Sequence, residues 1–399
     1  MILLNFGGNR VANIADVVII GGGIVGVSIA HCLGLKKPKG FRAVLLEKEA
    51  LCSGSTGKSV GVIYLQHSTR AEIELTKMSL AMIRALEERS QSRLDFNKIG
   101  FIHFCRGNER MNQLRQDLIL QKRLGVQVHW LEPQDLLQIL PQLTVGDVSG
   151  AAFTPDDGYL DPYLLTTALA KKAKDDGVEI EVGIEAKEVI VEKGKARGVM
   201  TDKGMIEAPI VINAAGPWAG IVASMAGLTM PIKLVRGQIL AIKPRTNLTQ
   251  VVPMTIDLNT GFYFREETGG LLLLGKLDTA FDVDRGPIDP DDYYDYREKP
   301  DKEFTGFVIE RVDETLPSLN DSQLVRGWVG LRTVTPDGLP IVGETQVKGF
   351  LCAVGFSGMG INLGLPTGQI IADFILDGAP FPYLESLSLR RFLGKRAAM

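Results

Sequence analysis

The sequence has little cysteine. Only four of its 399 residues are cysteines, Cys32, Cys52, Cys105 and Cys352, and no two of them have C-x-x-C spacing. This scarcity gives no support to a disulfide framework or to a zinc centre, and we expect no metal. The cysteines are most simply interpreted as buried free thiols in a reducing cytoplasm.

An excess of charge of one sign is also missing. The chain has 44 Lys and Arg residues against 47 Asp and Glu residues, which gives a formal net charge of −3 at pH 7. So small an imbalance is not typical of proteins whose main partner is a nucleic acid or an anionic membrane. We therefore expect no nucleic-acid partner.

The chain lacks a long uninterrupted apolar run. The segment Val17–Leu35 comes nearest to one, but Ser28, His31 and three consecutive glycines interrupt it. The first dozen residues lack the charged and apolar regions of a signal peptide. We therefore expect no transmembrane segment and a cytoplasmic location.

A glycine-rich motif follows an apolar strand pattern near the start of the chain. Gly21, Gly23 and Gly26 have G-x-G-x-x-G spacing, with Ile24 and Val25 between the last two. The first glycine permits a tight turn, the second lets the backbone approach a pyrophosphate, and the third allows close helix–strand packing. Backbone N–H groups at the helix start then bind the anion. The alternative is a strand–turn–helix whose glycines only pack.

An acidic residue stands where such a site would contact a ribose. Ala43–Leu46 predicts the next strand, and Glu47 ends it. Glu47 comes a few residues later than usual, and the loop Lys36–Gly40 accounts for the extra length. Together with the glycine motif, Glu47 makes dinucleotide binding the better interpretation.

Two further stretches of small residues predict close contact with a ligand. Ser53–Val62 is rich in glycine and hydroxyl residues, so it can lie flat against a planar ligand. Pro209–Asn213 predicts a strand that runs into Ala214–Trp218, which repeats the pattern of the opening motif.

The chain changes character after Gly227. Before it, helical spacing is found at Glu72–Glu87, with Leu75, Met78, Met82 and Leu86 expected on the buried face. After it, short strand patterns joined by turns predict an antiparallel sheet. These strands are expected at Ile239–Lys243, Val251–Ile256, Gly261–Arg265 and Leu271–Leu274. The charged segment Asp282–Lys302 is a lid, a subunit contact or, more often for such segments, a solvated loop.

Taken together, these motifs resemble those of the FAD-dependent amine and amino-acid oxidoreductases, which include D-amino-acid oxidase, glycine oxidase and sarcosine oxidase. Three later motifs add to the match, at Val235–Gln238, Trp328–Gly343 and Gly355–Ile361. The resemblance covers nearly the whole chain. It is nearest to the β subunits of heteromeric sarcosine oxidases and of bacterial or archaeal proline dehydrogenases.

The resemblance implies a fold and a division into domains. The fold is an α/β FAD-binding domain, Rossmann-like and of the glutathione-reductase type, with an inserted antiparallel-sheet substrate domain of α+β class. The FAD-binding domain is expected to be discontinuous, at residues 15–90, 145–222 and 321–399. The substrate domain is expected at residues 91–144 and 223–320.

The motifs and the resemblance give a set of residues expected to contact FAD. The Gly358–Gly360 turn, if it precedes a helix, supplies backbone N–H groups where negative charge develops on the flavin. The full set is Gly21, Gly23, Ile24, Val25, Gly26, Glu47, Lys48, Ser55, Thr56, Gly57, Lys58, Ser59, Gly61, Val62, Val189, Ala215, Gly216, Trp218, Gly237, Arg332, Ser357, Gly358, Met359, Gly360 and Ile361.

Arg332 and Tyr263 are the residues expected to act on the substrate. Arg332 occupies the family's carboxylate-binding position, and its guanidinium can grip a carboxylate in a two-pronged way. The alternative is an ion pair of Arg332 with Asp337 across a turn. Tyr263 either closes the pocket and donates a hydrogen bond or is strand core. Arg265 is the next candidate for the carboxylate.

The chain departs from the family pattern at three places. Gly158–Pro162 contains no histidine where heteromeric sarcosine oxidases attach FMN, so covalent FMN is not expected. Phe356 replaces a common histidine, which argues against a polar catalytic role there. Lys276 falls just after the position of the oxygen-activating lysine of monomeric sarcosine oxidase. Whether oxygen or another acceptor takes the electrons is therefore open.

The resemblance predicts oxidation of the C–N bond of a small amino acid or N-methyl amino acid, such as sarcosine, proline, hydroxyproline or glycine. Hydride would pass from the α-carbon to flavin N5, and an α subunit of a heteromeric complex is the expected protein partner. An FAD-dependent 2-hydroxy-acid or glycerol-phosphate dehydrogenase is the alternative. Another alternative is an FAD-bearing subunit whose own site is vestigial. A third, a flavin domain that acts on modified tRNA, is disfavoured by the charge balance.

Overall fold

The computed structural model describes residues 13–89, 94–245, 248, 250–277 and 298–392. Its helices are α1 (Ile24–Lys36), α2 (Arg70–Arg89), α3 (Asn108–Arg123), α4 (Pro133–Ile139), α5 (Pro162–Asp175), α6 (Ala219–Met225), α7 (Lys302–Thr315), α8 (Gly360–Asp377) and α9 (Leu384–Leu387). Short 3₁₀ helices lie at Gly216–Trp218, Pro317–Leu319 and Leu389–Phe392.

The strands belong to four sheets. In chain order they are β1 (Asn13–Ile14), β2 (Val17–Ile20), β3 (Ala43–Glu47), β4 (Val62–Ile63), β5 (Phe101–Arg106), β6 (His129–Leu131), β7 (Val148–Thr154), β8 (Gly158–Tyr159), β9 (Glu179–Val182), β10 (Ala186–Glu192), β11 (Lys195–Thr201), β12 (Gly204–Glu207), β13 (Ile210–Asn213), β14 (Lys233–Lys243), β15 (Met254–Asp257), β16 (Phe262–Glu267), β17 (Leu271–Lys276), β18 (Gln323–Val334), β19 (Ile341–Glu344) and β20 (Phe350–Val354).

A six-stranded sheet carries the glycine motif. Its order is β19-β20-β13-β2-β3-β9, and every neighbouring pair is parallel except β19–β20. Strands β2 and β3 are buried throughout, which is why their sequences are continuous apolar runs rather than alternating ones. The carboxyl ends of β13, β2 and β3 therefore lie side by side, where open α/β sheets bind ligands.

Helices cover one face of this sheet and a second sheet covers the other. Helix α1 packs against α5 and α8 on the face that carries Val17. A Cβ added at Gly368 of α8 would lie 2.5 Å from the carbonyl oxygen of Ser28, so this glycine permits the close approach of α1 and α8. The four-stranded sheet β1-β12-β11-β10 buries the opposite face, which carries Val18. These layers agree with the expected α/β nucleotide-binding domain.

An eight-stranded sheet forms the other large layer, in the order β18-β14-β17-β16-β15-β5-β7-β6. Six of its neighbouring pairs are antiparallel, but β5 and β15 are parallel. The strands predicted after Gly227 do pair antiparallel with one another, and the parallel pair arises where β5, from an earlier part of the chain, joins β15 without a hairpin. Helices α4 and α7 contribute to the core packed against this sheet.

The sheet draws its strands from three separated parts of the chain. Strands β7 and β18 belong to it, although the predicted domain boundaries place residues 145–222 and 321–399 with the nucleotide-binding segments. The boundaries themselves stay a prediction. Residues 278–297, which form most of the predicted charged segment Asp282–Lys302, lie outside the described residues.

Helix α2 has a different buried face from the one predicted. Leu75 and Leu86 are buried, and Met82 packs against the core, but Met78 is 40% exposed. Ile73, Leu80 and Ile83 complete the inward face. Apolar spacing thus located the helix correctly but misassigned Met78.

Candidate active site

The turn between β2 and α1 is built around backbone contacts that exclude side chains. Gly21 has φ of +118°, and a Cβ added there would lie 2.4 Å from the carbonyl oxygen of Ala214. A Cβ at Gly26 would lie 2.0 Å from the carbonyl oxygen of Gly21. Glycine is therefore required at the turn by its conformation and at Gly26 by the packing of the helix on the turn.

The start of α1 donates a hydrogen bond to a distant loop. Gly23 precedes the helix, and the N–H of Ile24 donates to Oγ1 of Thr56 at 3.1 Å. Thr56 is buried and also belongs to the small-residue loop. One side chain thus ties that loop to the positive end of the α1 dipole.

Glu47 faces the same turn. One of its carboxylate oxygens accepts from the N–H of Gly22 at 2.7 Å, and the other accepts from the N–H of Glu49 at 2.8 Å. The side chain is 9% exposed. Because each carboxylate oxygen can accept a second hydrogen bond, Glu47 retains acceptor capacity toward a ribose hydroxyl.

The small-residue loop lies on the end of β18. The hydroxyl of Ser55 donates to the carbonyl oxygen of Leu331 at 2.5 Å, and Nε1 of Trp328 donates to the carbonyl oxygen of Lys58 at 3.0 Å. A Cβ at Gly330 would lie 2.9 Å from Cβ of Lys58, so a glycine is needed beneath the loop. These contacts join the loop to the eight-stranded sheet.

One cavity brings most of the predicted residues together. Those that line it are Gly21, Gly23, Ile24, Val25, Glu47, Lys48, Ser55, Thr56, Lys58, Ser59, Ala215, Gly216, Trp218, Gly237, Tyr263, Arg332, Gly358, Gly360 and Ile361. The cavity therefore reaches from the nucleotide turn to the eight-stranded sheet, with Lys48 covering the Trp218 ring at 3.9 Å from its centroid.

Seven predicted residues are not among those that line the cavity, namely Gly26, Gly57, Gly61, Val62, Val189, Ser357 and Met359. Packing explains several of them. A Cβ at Gly57 would lie 2.4 Å from the carbonyl oxygen of Cys52, and one at Gly61 would lie 2.0 Å from that of Leu160. Val189 is buried in the core between the two sheets of this part of the chain.

Other lining residues were not predicted as site residues. The clearest are Ile184, Glu185 and Ala186, which line the cavity just before and at the start of β10. The N–H of Ile184 donates to the carbonyl oxygen of Glu47 at 3.0 Å, which places this segment beside the end of β3. No motif marks these residues, and only the pairing of β9 with β3 brings them to the cavity.

The side chain of Arg332 passes two glycines. A Cβ at Gly237 would lie 2.8 Å from Nε of Arg332, and one at Gly358 would lie 3.6 Å from its Cδ. The alternative partner, Asp337, instead accepts two hydrogen bonds from Arg391, at 2.7 and 3.0 Å. Arg332 thus lines the cavity at a place where glycines make room for it.

Arg265 lies in a different environment. Its guanidinium donates to the carbonyl oxygens of Val60 and Glu266 and to the carboxylate of Glu267, at 2.9, 2.6 and 2.7 Å. The same group stacks over the Tyr159 ring at 3.8 Å from its centroid. These contacts engage Arg265 in the protein itself and account for it as a structural residue.

Tyr263 presents a buried hydroxyl to the cavity. The side chain is 1% exposed, and its hydroxyl has no hydrogen-bond partner among the described residues. Burial raises the pKa of the phenol, and the charges of Arg332 and Arg265 only partly oppose that shift. Tyr263 is therefore a neutral hydrogen-bond donor. Gly275 on β17 pairs with it and makes room for the ring.

A turn of unusual backbone conformation leads into α8. Gly355, Ser357 and Gly358 have φ of +72°, +50° and +89°. The helix has 18 residues and no acidic residue in its first turn, and Gly360 and Ile361 at its start line the cavity. The positive end of its dipole is therefore directed to the cavity.

Two buried histidines, His67 and His103, have ring centroids 4.6 and 6.3 Å from that of Tyr64, and the buried Asp157 accepts a hydrogen bond from the N–H of Leu65. Burial lowers the pKa of His67 to about 4 and that of His103 to about 3, so both are neutral at pH 7. Burial raises the pKa of Asp157 to about 7. Across the described ranges we found no group of residues suited to hold a metal ion.

Comparison with known proteins defines the class of the molecule. Residues 16–374 match the family described as FAD dependent oxidoreductase (DAO). The chain belongs to this family, and FAD is its cofactor. None of the helices in the described part of the chain is both long and apolar enough to cross a membrane.

Individual relatives share 27–29% of their residues with the chain. Human sarcosine dehydrogenase is 28% identical over 95% of this chain but only 41% of that protein, so the chain spans less than half of its length. The glycine oxidase of Geobacillus kaustophilus (strain HTA426) is 27% identical, with 95% and 98% of the two chains covered. The crystal structure of L-proline dehydrogenase from P. horikoshii has a TM-score of 0.87 and 29% identity, with 96% and 99% covered.

Proposed function

We propose that the protein oxidises a small amino acid or N-methyl amino acid and that Arg332 holds the substrate carboxylate. The observation that carries the proposal is a half-buried guanidinium at the cavity, placed between Gly237 and Gly358 and beside the hydroxyl of Tyr263. A planar guanidinium and a neutral phenol are suited to bind a carboxylate.

The names of the relatives support this class of substrate. Sarcosine dehydrogenase, dimethylglycine dehydrogenase, glycine oxidase and L-proline dehydrogenase are each named for a small amino acid or an N-methylated one. A 2-hydroxy acid also carries a carboxylate that Arg332 could hold. The substrate panel described below separates these two classes.

The residues at the cavity fit FAD. We assign the pyrophosphate to the β2–α1 turn and the start of α1, where backbone N–H groups and the helix dipole favour an anion. Glu47 would accept from the ribose, and the Ser55–Ser59 loop would lie along the flavin. The start of α8 would stabilise negative charge on the reduced ring.

Bound FAD supplies a hydride acceptor, the flavin N5, for the hydride that leaves the substrate α-carbon. Arg332 fixes the carboxylate and so orients the α-carbon, while Tyr263 donates a further hydrogen bond. Apolar walls such as Ile239 and Phe356 lower the pKa of the substrate ammonium, which favours the neutral amine. Loss of the hydride leaves the substrate as an iminium ion, which water then hydrolyses.

The same proposal assigns FAD binding and substrate binding to different sheets. The six-stranded sheet and its helices would bind FAD, and the eight-stranded sheet would present Tyr263 and Arg332 to the substrate. Assembly with an α subunit and a cytoplasmic location stay predictions from the sequence.

Replacement of Arg332 tests the proposal. In Arg332→Leu, kcat/KM on the best amino acid should fall by roughly two to three orders of magnitude, because a two-pronged charged contact is worth on the order of 2–5 kcal/mol. Arg332→Lys should restore part of the loss, since it keeps the charge but not the fork. FAD content should be unchanged in both.

The matched control is Arg326→Leu on the same strand, where the arginine is exposed. Anaerobic flavin bleaching is measured with sarcosine, proline, hydroxyproline and glycine, and with 2-hydroxy acids and glycerol phosphate. Bleaching by the hydroxy acids alone would establish the alternative activity. Near-normal kcat/KM of Arg332→Leu would contradict the role of Arg332, and absence of bleaching by every compound would indicate a vestigial site.

A further inference from the structure

We propose that Tyr64 is a further substrate-binding residue, whose hydroxyl donates a hydrogen bond to the carboxylate that Arg332 holds. This inference rests on the proposed function. Tyr64 follows β4 and carries no motif, and the contacts around it are what point to the role.

Tyr64 is attached to the turn that begins α8. Its backbone N–H donates to Oδ1 of Asn362 at 3.0 Å, and its hydroxyl donates to Sδ of Met359 at 3.3 Å. Asn362 lies in the first turn of α8, and Met359 immediately precedes the helix. The phenol therefore ends beside the start of α8, although neither Tyr64 nor Met359 is among the residues that line the cavity.

Arg332 reaches the same turn. Its Cδ and Nε would lie 3.6 and 3.7 Å from a Cβ at Gly358, the residue before Met359. The guanidinium charge also acts on the Tyr64 phenol, where it partly opposes the rise in pKa that burial causes. The hydroxyl and the guanidinium thus converge on the Gly358–Met359 turn, with Tyr64 protonated and able to donate.

The Tyr64 ring has a fixed orientation. It stacks on the Phe101 ring with centroids 4.4 Å apart and planes inclined by 6°. The His67 ring lies 4.6 Å away and is itself 3.2 Å from the hydroxyl of Thr76. With the ring held in this way, the hydroxyl is confined to the space beside Met359.

The hydroxyl of Tyr64 donates to a weak hydrogen-bond acceptor, the sulfur of Met359. A thioether sulfur is a weak acceptor, whereas a carboxylate oxygen accepts a strong, charge-assisted hydrogen bond. Tyr64 and Met359 are both partly exposed. Methionine is flexible, so displacement of the Met359 side chain would let the hydroxyl exchange sulfur for a substrate oxygen.

Tyr64→Phe is the decisive variant because it removes the hydroxyl and keeps the stacking on Phe101. Affinity for a non-reactive carboxylate, 2-furoate, is measured from the perturbation of the flavin absorbance in the FAD-loaded protein. We expect the Kd of 2-furoate to rise about 10- to 100-fold and kcat/KM to fall by a similar factor. FAD content and Tm should be unchanged. Tyr163→Phe, at an exposed tyrosine on α5, is the matched control.

The double variant Tyr64→Phe/Arg332→Leu distinguishes a shared carboxylate from a general packing role. If both residues bind one carboxylate, Tyr64→Phe should have a much smaller effect in the Arg332→Leu background. An unchanged Kd in Tyr64→Phe, or an equal loss in both backgrounds, would overturn the role of Tyr64 while leaving that of Arg332. If 2-furoate does not bind to the wild-type protein, or binds equally well to Arg332→Leu, the proposed carboxylate site fails and the role of Tyr64 fails with it.

Discussion

A carboxylate oxygen of Glu47 accepts a hydrogen bond of 2.7 Å from the N–H of Gly22, a residue 25 positions earlier in the chain. The contact joins the end of β3 to the glycine turn after β2. Glu47 thereby fixes the shape of the turn and faces the cavity. A substitution of Glu47 is therefore expected to change the affinity for FAD.

Glu47→Gln should weaken FAD binding. The amide has only one acceptor oxygen, and its NH₂ group would face a backbone N–H that now donates to the carboxylate. Loss of a charge-assisted bond predicts a rise in the Kd of FAD by about 10- to 100-fold. Titration of the apoprotein with FAD, followed by flavin fluorescence, measures this change. Glu49→Gln, at an exposed position, is the control and should keep the wild-type Kd.

Gly275→Ala should displace Tyr263 into the cavity. A Cβ at Gly275 would lie 2.2 Å from both Cζ and the hydroxyl oxygen of Tyr263, so the ring has to move. We expect KM for the amino-acid substrate to rise about tenfold or more, since the clash narrows the substrate region. In a Tyr263→Leu background the same glycine change should have little further effect. Gly306→Ala, where an added Cβ meets nothing within 4 Å, is the matched control.

Equal effects of Gly275→Ala with and without the Tyr263 ring would contradict this account. The measurements are steady-state kinetics and Tm on all variants, because a general loss of stability would lower Tm in both backgrounds. A crystal structure of Gly275→Ala would show the ring displacement directly.

Asp157 should make stability fall as the pH rises from about 4 to about 7. The carboxyl is fully buried; one oxygen accepts from the N–H of Leu65 at 3.0 Å and from the hydroxyl of Thr154, and the other has no partner among the described residues. Burial raises its pKa from 3.8 in the unfolded chain to about 7 in the fold. The folded state therefore binds more protons than the unfolded state within this window.

The corresponding variant is Asp157→Asn, which removes this titration. Its stability relative to wild type should increase by up to about 1.4 kcal/mol for each pH unit between roughly 4 and 7, and then level off. Urea unfolding of both proteins at a series of pH values measures the difference in stability. The opposite trend of buried His67 and His103 is present in both proteins and therefore cancels in that difference. Asp313→Asn, at an exposed position, should show no such slope. A difference between Asp157→Asn and wild type that does not vary with pH would disprove the assignment.

FAD should be bound without a covalent link and in about a one-to-one ratio. Neither a histidine nor a cysteine is found among the cavity-lining residues that the structure describes. Acid precipitation should therefore release the yellow colour into the supernatant, where its absorbance gives the stoichiometry. Colour that stays in the pellet would show a covalent attachment and would refute the prediction.

Most of the nucleotide end of the site could be predicted from the sequence. The spacing of Gly21, Gly23 and Gly26 reflects local requirements of a turn and a helix start, and these leave a readable pattern. Glu47 could be placed because it ends the next predicted strand. Arg332 and Tyr263 depended on the family resemblance, and the structure brings both to the same cavity.

The structure differs from the predictions made from the sequence where segments far apart in the chain pack or pair with one another. The parallel pairing of β5 with β15 and the membership of β7 and β18 in the eight-stranded sheet depend on which strands meet, and no local pattern specifies that choice. Met78 was misplaced because helical spacing gives the period of an apolar face but not the neighbours that cover it.

The sequence by itself indicated dinucleotide binding, through glycines whose backbone positions tolerate no side chain, and its resemblance to a known family indicated FAD. Only the tertiary structure decided which other residues meet at the cavity. Ile184–Ala186 line it without any local signal, because their position follows from β9 pairing with β3. The place of Tyr64 beside the start of α8 likewise follows from distant contacts, with Phe101 and Met359. Local conformational constraints act on neighbouring residues and therefore leave a sequence pattern. A substrate pocket is assembled from contacts between residues far apart in the chain and leaves none.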